Sequence, residues 1–475
     1  MLDEGRRDVA STVWRSLPRD LLLVGLAVFC AALFGIMTRP MGAFAAFWPA
    51  NALLLGLMLR APHLSTLGGW FGAFAGFVAA DLVTGGEPGM TIWLTAANLT
   101  EAITGYVLFK ALPEGHVRLQ WPQSVMVVFA VCCCAAAASA FLGAAAYSIL
   151  IGGNFTDELE LWFSTELVST VTVLPVVLAA PKWRDIRWSS AAAAIAGGTR
   201  DAAPMLALLA SVVLGSLLDG PGSFAFPVPA LLWCALSYSF FATAVLTLVF
   251  AIWGMVAITG NLAQLPPEID PVEWGKSIRL GLALIALAPL AVGSVSAARN
   301  ELVRRLKDML EHDDLTRTLT RKTFIERSEH LLERLNDNNT GAAAVLMLDV
   351  DRFKSVNDRH GHAAGDAALV AFALSVSNAL EGNGLFGRLG GEEFAVFLPG
   401  TTRAEAEAVA ERIRNAVERC TVDLGSGVVL PITVSGGLAL HAGSGRATLD
   451  AMLARADAAL YRAKEQGRNC IVTAG

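Results

Sequence analysis

Residues 21 to 297 form a succession of apolar runs broken by short polar, glycine- or proline-containing joints. A helix needs about 20 apolar residues to cross ~30 Å of hydrocarbon. Runs that meet or approach this fall at 21–37, 43–59, 67–84, 90–109, 124–151, 161–180, 203–219, 225–237, 239–258 and 278–297. The eighth is short and holds Pro227 and Pro229, so eight to ten spans are expected. The pattern changes at about residue 294. Ala298, Leu302, Leu306 and Met309 recur at helical spacing among charges, which predicts a connecting helix over 294–312 able to pair with a second copy. Beyond it, helical periods over 321–336, 365–380, 403–420 and 449–466 alternate with short apolar runs at 343–349, 385–389, 393–398, 430–440 and 469–472. Strands interleaved with helices predict one mixed sheet with helices packed against it.

Charge divides the chain in the same place. Residues 1–300 hold 15 Lys/Arg and 18 Asp/Glu, and the remaining 175 residues hold 21 and 24. The first part is too apolar for a soluble domain, while the second has ordinary soluble composition. A single globular enzyme and a disordered chain are both excluded. The net charge of −6 gives no basic footprint for nucleic acid. Seven cysteines without C-x-x-C spacing imply neither a disulfide framework nor a zinc site. With the N-terminus inside, Arg60, Lys110, Arg118, Lys182, Arg184, Arg187 and Arg200 fall in inner loops. Arg39 and Lys276, with Arg279 at the edge, fall outside, among Glu87, Asp157, Glu158, Glu160, Asp219, Glu268, Asp270 and Glu273. The positive-inside rule therefore puts the N-terminus and the C-terminal domain in the cytoplasm. Arginines precede the first span without a cleavage pattern after it, so it is expected to be an anchor.

Ionisable side chains inside spans are costly and mark functional sites or packing nodes. Glu101 and Glu166, with Asn51 and Asn98 as neutral companions, are the candidates for a membrane-domain ligand site. Asp81 lies near a span end. The run Cys132-Cys133-Cys134 before four alanines is expected to be a small-residue packing face.

In the polar half, the run AAAVLMLDVDRFK places Asp349 and Asp351 two residues apart at a strand end, on one side of the strand. Carboxylates in that position present oxygen ligands to Mg²⁺ beside phosphates. NDRHGHAAGD follows, with Asn357, His362 and Asp366 as polar edges that suit a guanine. Gly390-Gly391 in RLGGEEF fits a two-residue hairpin turn, with Glu392 next to it.

These motifs carry a resemblance. Gly390-Gly391-Glu392-Glu393-Phe394, DDLTRTLTR at 313–321, DVDRFK at 349–354, NDRHGHAAGD at 357–366 and LYRAKEQGRN at 460–469 together resemble the GGDEF diguanylate cyclases. Phe47–Asn51, Asn98–Ala102 and Trp162–Pro175 resemble the membrane-associated sensor (MASE-type) domains of bacteria. The implied architecture is a multi-pass helical membrane sensor over 1–293, a connecting helix over 294–312 and a palm-like α/β cyclase domain over 313–475. The implied reaction condenses two GTP into cyclic di-GMP and two pyrophosphates across a homodimer at the inner membrane. Carried over by position, the resemblance implies Asp349, the Val350 carbonyl and Glu392 as ligands of Mg²⁺, or of Mn²⁺. It implies Glu392 and Lys354 as catalytic side chains. Asn357, His362 and Asp366 would hold guanine. The amides of Arg352, Phe353 and Lys354, the Gly390-Gly391 turn, Lys464 and Arg468 would hold phosphates. The inhibitory product site of many relatives, R-x-x-D, is replaced here by Glu381 and Gly384, which reverses the phosphate-binding charge. The alternatives are a degenerate nucleotide-binding domain, a GTP-binding regulatory module and a transporter with a regulatory tail.

Overall fold

The computed structural model describes the chain except residues 1, 39–46, 118, 120, 122, 182–198, 219–220, 260–270, 338–341, 425–428 and 443–446. The loop charges Arg39, Arg118, Lys182, Arg184, Arg187, Asp219, Glu268 and Asp270 lie outside the described residues. The chain divides into two compact units, Met1–Glu301 and Leu302–Gly475.

Among its described residues the first unit is built of helices and has no strand, as its apolar runs require. Its helices are α1 (Leu2–Met37), α2 (Ala50–Arg60), α3 (Leu67–Val83), α4 (Pro88–Lys110), the single turn α5 (Glu114–Val117), α6 (Ser124–Leu150) and α7 (Phe155–Ala179). They continue as α8 (Thr199–Leu217), α9 (Pro227–Ser237), α10 (Phe240–Thr259) and α11 (Pro271–Glu311), which runs through the division between the units. Among the described residues, five helices are long and apolar enough to cross a membrane. Four belong here: Leu17–Met37, Ser124–Leu150, Phe155–Ala179 and Val272–Glu311. Of the second expected span, residues 43–46 lie outside the described residues, Phe47–Pro49 are not helical, and the 11 residues of α2 reach about 16 Å at 1.5 Å per residue. That is short of a crossing on its own. Along α6, Cys132, Ala135, Ala136, Ser139, Ala140 and Gly143 form one buried stripe, the packing face expected around the cysteines. Trp162 of α7 lies over it and donates from Nε1 to Ser139 Oγ at 3.1 Å.

In the second unit a six-stranded sheet has the order β1-β3-β4-β2-β7-β8. The strands are β1 (Leu319–Thr320), β2 (Ala342–Val350), β3 (Leu385–Gly390), β4 (Glu393–Pro399), β7 (Val434–Ala442) and β8 (Ile471–Thr473). A separate hairpin pairs β5 (Thr421–Asp423) with β6 (Val429–Pro431). β2 is central and runs antiparallel to both β4 and β7. Its alternation sorts the core into two layers. Ala344, Leu346 and Leu348 pack under α14 (His362–Leu380) and α15 (Arg403–Glu418). Ala343, Val345 and Met347 face α12 (Arg321–Asp337) and α16 (Leu449–Glu465). Each large apolar side chain buried this way contributes about 1.5–3 kcal/mol. α14 is the fifth long apolar helix, but its Ala368, Leu369, Phe372 and Val376 are core of this sheet, which accounts for its hydropathy without a membrane.

Three local differences from the sequence pattern matter for the site. The polar stretch after Asp351 is itself a helix, α13 (Phe353–His360), ended by Gly361 at φ +83°. The expected strand at 430–440 is two strands, separated by Ile432 and Thr433. The hairpin turn lies one residue later than Gly390-Gly391. Gly390 pairs with Glu393 and a bulge follows Arg388, so the loop residues are Gly391 and Glu392. The bulge takes up one residue of the upper strand and so moves Glu392 onto the hairpin tip.

Candidate active site

Strand parity puts Asp349 on the layer of β2 that faces α16, next to the end of that helix. α16 can lie this close because Gly437 of β7 has no side chain. A Cβ there would sit 2.0 Å from the Ala456 carbonyl oxygen. The approach brings Lys464, in the last turn of α16, to Asp349, with Nζ 2.7 Å from Oδ2. On the other flank Asp349 pairs with Glu393 across the β2–β4 ladder, and Val350 N–H donates to the Glu392 carbonyl at 3.4 Å. The tip of one hairpin, the end of the central strand and the end of a helix thus meet at one point.

The electrostatics at this point are unbalanced. Burial pushes the Asp349 carboxyl above its ordinary range; Lys464 opposes the shift, while Glu393 and Asp351 add to it. Burial likewise raises Glu392, and the neighbouring Asp349 charge raises it further against the pull of Lys464. Two acids beside one lysine want more positive charge than the chain supplies. Two carboxylates and the Val350 carbonyl are hard oxygen donors, the set that suits a small divalent cation. Among the described residues no group of three or more His, Cys, Asp or Glu side chains is arranged to hold a metal by itself.

The remaining expected residues surround this point unevenly. Arg352 is left-handed at φ +57° and stands before the first turn of α13, where Phe353 is buried and Lys354 exposed. No hydrogen bond or ion pair joins Lys354 to the acids among the described residues. Asn357 lies against Gly365, one residue before Asp366. His362 and Asp366, four apart at the start of α14, are both exposed on one face. Gly390 and Gly391 are open, and Arg468 is exposed in a left-handed turn after α16. Glu381 and Gly384 form an exposed turn at φ +51° and +124°.

One residue that composition did not single out holds the hairpin tip. Arg388 donates from Nε and Nη2 to the Gly391 carbonyl at 2.9 and 2.7 Å, and from Nη1 to Asp313 Oδ1 at 3.0 Å. It sits inside the RLGGEEF run, but its role depends on the bulge that the pattern does not show.

In the membrane unit, the three expected polar residues converge. Asn51 Nδ2 lies 2.7 Å from Glu101 Oε2, 3.1 Å from Glu166 Oε2 and 3.1 Å from Asn98 Oδ1. Thr170 donates to Glu101 Oε1 at 2.6 Å, and Trp48 Nε1 donates to Asn51 Oδ1 at 3.3 Å. Asp81 is apart from this group and accepts from Thr91 Oγ1 at 2.5 Å.

Comparison with known proteins bears on both units. The family described as MASE1 matches residues 21–295, and the family described as "Diguanylate cyclase, GGDEF domain" matches residues 310–470. The chain belongs to the MASE1-bearing GGDEF proteins. Its similarity to the "Probable diguanylate cyclase DgcF" of Escherichia coli K12 is 35% identity over 276 residues, covering 56% of this chain and 84% of that protein. The DgcF protein of E. coli O157:H7 is 29% identical over 439 residues, covering 89% of this chain and 88% of the relative. The response regulator PleD of Caulobacter vibrioides is 34% identical over 228 residues, 44% of this chain and 50% of its own length. The GGDEF family in this chain thus comes with a MASE1 domain in the same polypeptide, and several apolar helices make it a multi-pass membrane protein.

Proposed function

We propose that this MASE1–GGDEF protein is a diguanylate cyclase that joins two GTP molecules into cyclic di-GMP, with release of two pyrophosphates, under control of its membrane unit. The observation that carries this reading is the meeting of Asp349, Glu392 and Lys464 at one point, with acids in excess of the nearby positive charge. A divalent cation, Mg²⁺ or Mn²⁺, held by Asp349, the Val350 carbonyl and Glu392, would supply charge neutralisation at the triphosphate. The chain's own residues then act by positioning, which is most of what phosphoryl transfer requires. The first turn of α13 offers backbone N–H groups at a helix N-terminus to phosphate oxygens. Lys464 and Arg468 add positive charge from the opposite side. Asn357 and Asp366 suit the guanine edge, with His362 beside them. Glu392 would take the proton of the 3′-hydroxyl as that oxygen bonds to the α-phosphorus of the second GTP and pyrophosphate leaves.

One such site holds one nucleotide, so the reaction needs two chains. Leu302, Leu306 and Met309 on α11 are each about half exposed or more, a bare apolar stripe suited to pairing with a second copy. Our reading is a homodimer in the bacterial inner membrane with the cyclase units in the cytoplasm; the stripe supports the pairing and the distribution of loop charges the orientation. Asn51, Glu101 and Glu166 are the residues through which the bundle would respond to its stimulus. The test is to incubate detergent-purified full-length protein with GTP and Mg²⁺ and identify the product by mass. Cyclic di-GMP from the wild type and none from Glu392→Ala is the expected result; no turnover by the wild type in either Mg²⁺ or Mn²⁺ overturns the reading.

A further inference from the structure

The pair Asp349 and Asp351 reads as one carboxylate cluster, and the structure gives its members separate partners. Asp349 faces Lys464 and the hairpin tip. Asp351, 9% exposed, accepts from Ser435 Oγ at 2.7 Å through Oδ1. Its Oδ2 accepts from Thr433 Oγ1 at 2.8 Å and from the Asn469 backbone N–H at 3.0 Å. Its own N–H donates to the Thr433 carbonyl at 3.0 Å. Three of the roughly four acceptor positions of a carboxylate are therefore filled by the protein.

The Asn469 contact reaches an unusual turn. Gly467, Arg468 and Asn469 have φ of +111°, +68° and +47°, three left-handed residues in succession, with Arg468 a residue that disfavours this region. Such a turn persists only where its surroundings over-determine it. Here Arg468 N–H donates to the Ala463 carbonyl at 3.2 Å and Asn469 Nδ2 donates to Glu418 Oε1 at 2.7 Å. Arg414 Nη1 reaches Asn469 Oδ1 at 3.2 Å, and Asp351 anchors the Asn469 N–H from the sheet side. The turn carries Arg468 and begins three residues after Lys464, so its shape sets how the chain leaves the helix end that faces Asp349.

We propose that Asp351 is a positioning residue for the triphosphate of the nucleotide. It holds the Gly467–Asn469 turn in its left-handed course so that Lys464 and Arg468 face the acid pair, and it does not ligate metal. The inference rests on the GTP-binding reading above. The test uses the full-length protein in detergent and two readouts: KM and kcat for GTP, and the affinity for 3′-deoxy-GTP, which lacks the attacking hydroxyl. Asp351→Asn replaces one acceptor oxygen with an amide that opposes one of the three donors. Losing one charge-assisted hydrogen bond predicts a rise of about tenfold in KM and an equal loss of 3′-deoxy-GTP affinity, with kcat changed less than about twofold. The Mg²⁺ concentration for half-maximal turnover stays where it is, whereas Asp349→Asn raises it. Thr433→Val, which removes a single donor to Asp351, moves KM and 3′-deoxy-GTP affinity in the same direction by a smaller factor and carries the test if Asp351→Asn fails to fold. Unchanged 3′-deoxy-GTP affinity in the variants, or a Mg²⁺ shift for Asp351→Asn like that of Asp349→Asn, overturns the proposal. A wild type that binds 3′-deoxy-GTP but makes no cyclic di-GMP defeats the cyclase reading and leaves this one to be judged on binding.

Discussion

Both units gather acids, and they provide for them in opposite ways. In the membrane bundle, Glu101 and Glu166 are 1% and 4% exposed; they hydrogen-bond each other, and their other partners are the neutral Asn51 amide on α2 and the Thr170 hydroxyl on α7. Three helices are tied by one asparagine, and no lysine or arginine is among those partners. In the cyclase unit, Glu392 is part-exposed, and Lys464 is a third exposed on a flexible stem. Its acids are pressed together by the fold and matched by one cation. The first arrangement satisfies its polar atoms from within and so fixes packing. The second leaves a demand for positive charge, which is the condition for binding a metal nucleotide.

The largest expected effect separates the two clusters. Glu392→Ala lowers cyclic di-GMP formation by at least about 10³-fold, the scale set by removing one preorganised electrostatic element. The same change leaves unfolding stability within about 0.5 kcal/mol of wild type, because the side chain is part-exposed and its loss relieves repulsion with Asp349. Asn51→Leu acts on stability first. It strips two buried carboxyl groups of a shared donor and costs about 2–3 kcal/mol of stability, and it reaches turnover only through the control that the bundle exerts. Product quantified by mass and thermal unfolding in detergent, run on both variants, break the comparison if Glu392→Ala loses stability along with product, or if Asn51→Leu keeps wild-type stability.

Much of this contrast is written in residue order, and the remainder depends on backbone geometry. A continuous apolar run, as a strand buried on both faces requires, located β2, and the polar interruptions of the apolar runs identified Asn51, Glu101 and Glu166, because a polar group in a span is costly enough to stand out. Thr170 does not stand out, since a threonine can hydroxyl-bond within its own helix. The helix α13 was hidden because its mostly polar residues read as a loop running from Asp351 to Gly361. Arg388 and the partners of Asp351 were hidden for a different reason. A bulge and a run of left-handed residues re-aim their backbone partners, and neither leaves a mark in hydrophobic pattern.

A smaller effect concerns the product. Glu381 and Gly384 stand where an inhibitory site would need arginine and aspartate, so submicromolar cyclic di-GMP is expected not to inhibit turnover through this turn. The backbone strengthens the point. A Cβ on Gly384 would lie 2.5 Å from the Phe397 carbonyl oxygen, at φ +124°. The double variant Glu381→Arg, Gly384→Asp therefore pays about 1–3 kcal/mol in backbone strain and still gains no product inhibition, as measured by turnover against added cyclic di-GMP. Inhibition restored by the double variant would show that the turn relaxes and that charge alone had silenced it.

The smallest effect lies between the hairpin tip and the loop that follows α11. Burial pushes the Asp313 carboxyl upward, but the Thr316 N–H at 2.9 Å, the Thr316 hydroxyl at 2.8 Å and Arg388 at 3.0 Å outweigh it and hold it below its ordinary range. A carboxyl depressed in the folded state stabilises above its unfolded value, and that stability is lost as the pH falls through the folded value. With solvent screening the link contributes about 1 kcal/mol or less at neutral pH. Hydrogen exchange of the β2 and β4 amides in the full chain reads it locally: Asp313→Asn exchanges faster than wild type at neutral pH, and the gap closes on acidification through the carboxylate range. Amides of α2, α4 and α7 should not follow that curve. If they do, acid is acting on the bundle as well, and the contrast between a self-satisfied cluster and a charge-hungry one loses its electrostatic basis.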